Sequence, residues 1–154
     1  FLSNVSPFSS YAEGWAFYSE RIAAEYMLMY EDYPLGNLGR LQAEMFRAVR
    51  LVVDTGMHSK RWSRERAIDY MLSKTGMTEA EVTREIERYV VWPGQATAYK
   101  VGQIYMLRLR SMAEEELGDQ FDIREFHEMI LMNGAMPLEI LEESVTSWVS
   151  SFVR

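Results

Sequence analysis

Arg47, Arg50, Asp54 and His58 are spaced by three, four and four residues, and on a helix that advances about 100° per residue they fall within about 80° of one another. They make one polar stripe. Around them stand Met45, Phe46, Ala48, Val49, Leu51, Val52, Val53 and Met57, which would bury such a helix on most sides and mark it as a central one. An isolated charge buried there costs several kcal/mol or more, so the stripe must be paired or must face a cavity. Two readings follow. In one, Arg50 pairs with Asp54 at i,i+4 and His58 is satisfied at the helix end. In the other, the stripe is a wall of a substrate or catalytic cleft, where arginine can hold a carboxylate bidentately.

Two further segments carry chemistry. In YAEGWAFYSE, Glu13 and Glu20 lie seven residues apart and share a helix face. A carboxylate between Ala12, Gly14 and Trp15 can serve as a metal ligand or a general base, or simply as a solvated acid near a helix N-terminus, where the dipole favours it. In WPGQATAYKVG, Gln95 and Tyr99 stand at i,i+4 with Gly102 on the same face. Glycine there leaves room above the tyrosine. A preorganised phenol can donate to a developing oxyanion, an effect on the order of 3 kcal/mol; the alternative is a ring packed in the core with its hydroxyl bonded to a neighbour.

Other chemistry is bounded by composition. His58 and His127 are the two histidines and cysteine is absent, which excludes disulfides, thiol nucleophiles and cysteine metal sites. HEMIL, from His127, comes near the H-E-x-x-H zinc-helix pattern, but Leu131 occupies the place of the second histidine. No phosphate-binding glycine loop, G-x-S-x-G elbow or calcium loop occurs. The eleven methionines at helical spacing are core filler. Lys and Arg number 16 against 23 Asp and Glu, a formal charge of -7 that repels nucleic acid and anionic membrane surfaces. No apolar run reaches the roughly 20 residues of a membrane span.

Helices must position these groups. The pattern predicts a first helix from about Ser10 to Tyr30, closed by Pro34, Gly36 and Gly39, and a second from about Leu38 to His58, ending near Gly56. Ser63 caps a short helix to Lys74, and Thr78 with Glu81 forms a capping box for the next, which Pro93 and Gly94 stop. A long helix runs from about Gln95 to Leu117. Asp122 with Glu125 opens a sixth, and Pro137 a seventh. No segment alternates at strand period. The expectation is an all-α chain of about seven helices and, with short loops and no Gly/Ser/Pro-rich linker, residues 1–154 form a single segment. A start at Phe1 rather than methionine points to further sequence upstream.

Taken in order, YAEGWAFYSE, RAVRLVVDTGMHSKRWSRERAIDYM, RYVVWPGQATAYKVG and FDIREFHEMIL resemble the C-terminal half of the bacterial domain-of-unknown-function 885 family. The resemblance covers nearly the whole chain. It implies a largely helical zinc metallopeptidase of the gluzincin type, similar in plan to angiotensin-converting enzyme, thimet oligopeptidase and the thermostable carboxypeptidase Taq. In that family an H-E-x-x-H-like or H-E-x-x-x-x-H-H-like segment precedes the E-G-W-A motif. This chain has no such segment.

By the resemblance, Glu13 is the third protein ligand of a zinc whose histidines and general-base glutamate belong to an N-terminal half, with Glu20 beside the ligands or as a competing candidate. His58 and Tyr99 are transition-state stabilisers. Arg50, Gln95 and Lys100 grip a peptide or its terminal carboxylate, with Arg47 and Asp54 on the same wall. The implied partners are a peptide substrate and the N-terminal half of the same protein. The complete protein would hold zinc; this chain alone would hold none and hydrolyse nothing. A cut through a helical domain exposes core faces, so the piece would self-associate or require its other half. The alternative is a non-catalytic helical module that binds a ligand or serves a structural role. The compartment stays open between cell envelope and cytoplasm.

Overall fold

The computed structural model describes residues 8–152. Seven α-helices account for nearly all of it and no strand occurs among the described residues, so the fold is all-α. They are α1 (Ser9–Tyr26), α2 (Pro34–Lys60), α3 (Arg64–Lys74), α4 (Glu79–Val91), α5 (Ala98–Leu117), α6 (Ile123–Met132) and α7 (Leu138–Phe152). The chain divides into two compact units, one formed by residues up to Tyr18 and from Val101 onward, the other by Ser19–Lys100.

Helix starts follow the local chemistry. Ser63 accepts from the Arg66 N–H at 3.1 Å, and Thr78 and Glu81 close a reciprocal capping box, with the Thr78 N–H donating to Glu81 Oε2 at 2.8 Å. Asp122 caps α6 through the Arg124 N–H at 2.7 Å. The α1–α2 connection departs from expectation. α1 ends at Tyr26 and Leu28 takes a left-handed φ of 51°. Pro34 then stands at the first turn of α2, where its fixed φ suits a helix and its missing N–H is no loss, so Gly36 and Gly39 lie inside α2 instead of closing α1. Gly56 does not end α2 either. Its bare Cα lets the Trp62 ring pack closely, and the helix stops where Arg61 turns left-handed and the Trp62 N–H reaches back to the Gly56 carbonyl at 3.0 Å.

In the unit spanning Ser19–Lys100, one face of α2 packs against α3, α4 and the 3-10 turn Gln95–Thr97. Val49, Val53, Ile68, Met71, Val82, Ile86 and Tyr89 form its core, with Val53, Met71, Val82, Ile86 and Tyr89 wholly buried. In the other unit, α1 and α5 cross at Gly14 and Gly102. Tyr11 donates to the Ile130 carbonyl at 2.7 Å, and Gln103 donates to the Phe17 carbonyl at 3.3 Å. These bonds satisfy polar atoms that burial would otherwise strand.

Candidate functional site

The polar stripe of α2 lies in the Ser19–Lys100 unit, and its members meet different fates. Arg50 is 4% exposed. Its guanidinium carbon lies 4.7 Å from the centre of the Tyr99 ring, 5.5 Å from Phe46 and 5.6 Å from Tyr89, so three rings enclose it. Nη2 donates to Gln95 Oε1 at 3.2 Å, while the buried Nε has no hydrogen-bond partner. Arg47 is half-buried and its guanidinium also faces Tyr99 and Phe46, each at 5.1 Å. Two cations thus share one aromatic wall.

The ladder between Arg50 and Asp54 does not form. Asp54 is 3% exposed, and its two carboxylate oxygens accept the Gly94 N–H at 3.2 and 3.1 Å. Gly94 has a φ of 83°, a left-handed conformation that favours glycine. Asp54 therefore fixes the turn from which Gln95 projects. Gln95 Oε1 then accepts from Arg88 Nη1 at 3.0 Å as well as from Arg50. A neutral amide oxygen bridges two guanidinium groups.

The nearby acid is Glu85, on α4. It accepts from Arg88 Nη2 at 2.8 Å and from the Tyr89 hydroxyl at 2.6 Å. Burial pushes this carboxyl up, but those two hydrogen bonds and the charges of Arg88 and Arg50 outweigh it and hold Glu85 below the usual carboxylate range. Burial, reinforced by the Glu85 bond, drives the Tyr89 phenol far above its ordinary value. Each cation–π contact is worth about 0.5–2 kcal/mol, so the cage and a neutral hydrogen bond offset only part of the several kcal/mol that burying a guanidinium costs.

His58 and Lys100 have structural partners. His58 Nε2 donates to the Tyr89 carbonyl at 3.0 Å, closing the last turn of α4. Lys100 donates to Glu44 Oε1 at 2.8 Å, and Arg40 reaches the other oxygen at 3.2 Å. Although burial opposes it, the Lys100 bond and the surrounding cations keep the Glu44 carboxyl low. Gly102 leaves no open space at its own position, which the backbone of Ser10 and Gly14 fills. The Tyr99 hydroxyl makes no hydrogen bond to a described residue.

Glu13 is half-buried and belongs to the unit formed with α5–α7, whereas Glu20 is exposed and belongs to the other. Among the described residues no three His, Asp or Glu side chains group closely enough to hold a metal ion. The donor set within this chain therefore does not fit a catalytic zinc, which takes three protein ligands. His127, also with α5–α7, is enclosed by Trp15, Tyr18 and Phe126 and takes the Tyr18 hydroxyl on Nε2 at 2.9 Å. Burial, then the charge of Arg110, lowers its basicity.

Phe46, Glu85, Arg88 and Tyr89 escaped the sequence reading of the site. Glu85 and Tyr89 stand at i,i+4 beside the buried Val82 and Ile86, and that pairing of a carboxylate with a phenol on an apolar helix face was the available signal.

Fold and site together define a chain that is all-helical among the described residues, with two guanidinium groups packed against aromatic rings. The chain belongs to the family described as bacterial protein of unknown function (DUF885), whose model matches residues 2–145. It is similar to a crystal structure described as "the putative lipoprotein from Colwellia psychrerythraea", with 55% sequence identity and a TM-score of 0.92 over 98% of this chain. The match spans 26% of that longer chain, so this sequence corresponds to about a quarter of it. No curated protein matches the chain. No helix of the described residues is long and apolar enough to cross a membrane.

Proposed function

We propose that the chain is the C-terminal part of a zinc-dependent peptidase and supplies the wall of its cleft that grips the substrate. The observation that carries this reading is Arg50, a buried guanidinium with an unpartnered Nε, placed against Tyr99 and aligned by Gln95. Nε is shut off from solvent in this arrangement, so a peptide carboxylate or carbonyl would reach it as the surrounding side chains part, and a charge-assisted hydrogen bond to guanidinium is roughly twice as strong as a neutral one. Arg47, Lys74, Met45, Phe46 and Met77 line an adjoining cavity of about 630 Å³, whose mixed cationic and apolar walls suit a peptide chain end.

Glu13 is the carboxylate offered to a zinc whose remaining ligands come from elsewhere in the longer protein. Zinc would supply the activated water. What this chain's residues do is bind and orient: Arg50 and Arg47 hold the acceptor, Gln95 aligns Arg50, and Asp54 fixes the turn that carries Gln95. Tyr99 presents its face to both guanidinium groups, and its hydroxyl is available to a substrate oxygen. His58, whose Nε2 donates to the Tyr89 carbonyl, can donate to a substrate oxygen through Nδ1 only as the imidazolium, in which both ring nitrogens carry protons.

The test is peptide cleavage by the longer protein, with and without chelator, alongside its zinc content. Arg50→Ala should raise KM at least tenfold with zinc unchanged, and Glu13→Gln should lower zinc content. Cleavage that persists in Glu13→Gln at normal metal content would refute the ligand assignment. The structural roles of Asp54, His58 and Lys100 favour a second reading, a non-catalytic helical module with an anion pocket. On that reading the longer protein binds carboxylate-bearing peptides and cleaves none.

A further inference from the structure

α2 carries an apolar arc wider than the described chain covers. Val49 and Val53 point into the core, 3% and 0% exposed. Flanking them, Leu38, Leu41, Met45 and Val52 are 52%, 47%, 52% and 37% exposed. At 100° per residue these four lie within about 60° of one another and run for about 21 Å along the helix. Their mean direction is about 50° from Val49, about 90° from Val53 and about 150° from Arg50. A helix apolar all round belongs in an interior, and a continuous apolar stripe of this length marks a surface built to be covered.

We infer that this face of α2 is the seat of the rest of a longer polypeptide, an apolar helical face that packs along Leu38, Leu41, Met45 and Val52. The inference rests on the reading of the chain as one part of a longer protein, and not on that protein's chemistry. Length supports it, since three quarters of the Colwellia psychrerythraea relative lies outside the match. Charge argues against a second copy as the occupant, because two chains of -7 repel as they approach. At the stripe's near end, Glu31 and Asp32 are exposed in the α1–α2 connection and suit a partner with a basic rim.

The chain has no cysteine, so a single introduced thiol reports on burial without background. Leu38→Cys and Leu41→Cys are made in the 154-residue chain and in a longer protein that contains it, with Glu115→Cys as an exposed control, and maleimide labelling of each peptide is followed by mass spectrometry. In the isolated chain the stripe thiols should label as fast as the control. In the longer protein they should label at least 100-fold more slowly while the control is unchanged. Equal labelling of the stripe in both proteins would overturn the inference. So would slow labelling in the isolated chain together with sedimentation as a dimer, which would give the face to a second copy. Neither readout depends on zinc or on cleavage.

Discussion

Gly14 and Gly102 meet backbone to backbone where α1 crosses α5. A Cβ built on Gly102 would stand 1.9 Å from the Ser10 carbonyl oxygen and 2.6 Å from the Gly14 Cα. No side-chain motion can relieve a clash with backbone. Gly102→Ala should therefore destabilise the chain by about 3 kcal/mol or more, at the upper end of overpacking effects. Gly39, inside α2 with nothing within 4 Å of its Cβ position, is the control; Gly39→Ala should stabilise by about 0.4–1 kcal/mol. Urea unfolding of the two variants checks both signs.

The strain of burying Arg50 leads to a prediction in the opposite sense. A buried charge without a matched counterion can often be exchanged for an apolar side chain of similar length at no loss. Arg50→Met should leave stability unchanged or raise it by about 1 kcal/mol in thermal unfolding. A loss above about 2 kcal/mol would make Arg50 a structural element and weaken its assignment to substrate.

Asp54 acts on the same pocket through the backbone. Hydrogen bonds to a charged group contribute about 1.5–3 kcal/mol, and Asp54→Ala removes the acceptor of the Gly94 N–H. The expected loss is about 2 kcal/mol. The amide resonances of Gly94 and Gln95 should move with it, while those of α6 and α7 stay in place.

His127 gives the stability a dependence on mild acid. Burial, then Arg110, depresses its folded value, so the unfolded chain takes up the proton first. The contribution is complete above the unfolded value of about 6.5 and is lost as pH falls through it toward the lower folded value. Melting temperatures between pH 8 and pH 5.5 should fall in the parent and fall less in His127→Gln.

Glu85 works in a lower window. Its folded value is also depressed, so its stabilisation is full above the unfolded carboxylate value of about 4.3 and disappears as pH drops below it. Glu85→Gln should cost about 1 kcal/mol at pH 7, allowing for solvent screening. Near pH 3 the variant and the parent should converge.

How much of this was legible in the sequence depended on whether the signal was local. Ser63, the Thr78–Glu81 box and Asp122 encode helix ends through atoms a few residues apart, and those ends fall where the pattern puts them. The α1–α2 connection was misplaced because Gly36 and Gly39 read as breakers, although Pro34 had already started a helix that tolerates them. The stripe on α2 was legible as a stripe. Its partners were not: Asp54 finds the Gly94 N–H forty residues on, and Arg50 finds rings on three elements, so the ladder that i,i+4 spacing offered lost to tertiary contacts. The apolar circumference of α2 was read as burial on most sides, whereas Leu38, Leu41, Met45 and Val52 lie open in the chain by itself.

Asp54 also leaves a mark that needs no variant to see. Gly94 is exposed and lies in a turn outside the α-helices, where amide protons ordinarily trade with water quickly. Its N–H, however, is held by both oxygens of an acid that water scarcely reaches. In deuterated solvent that one proton should outlast that of its neighbour Gln95, and its lifetime would gauge how long the whole WPGQ turn stays docked.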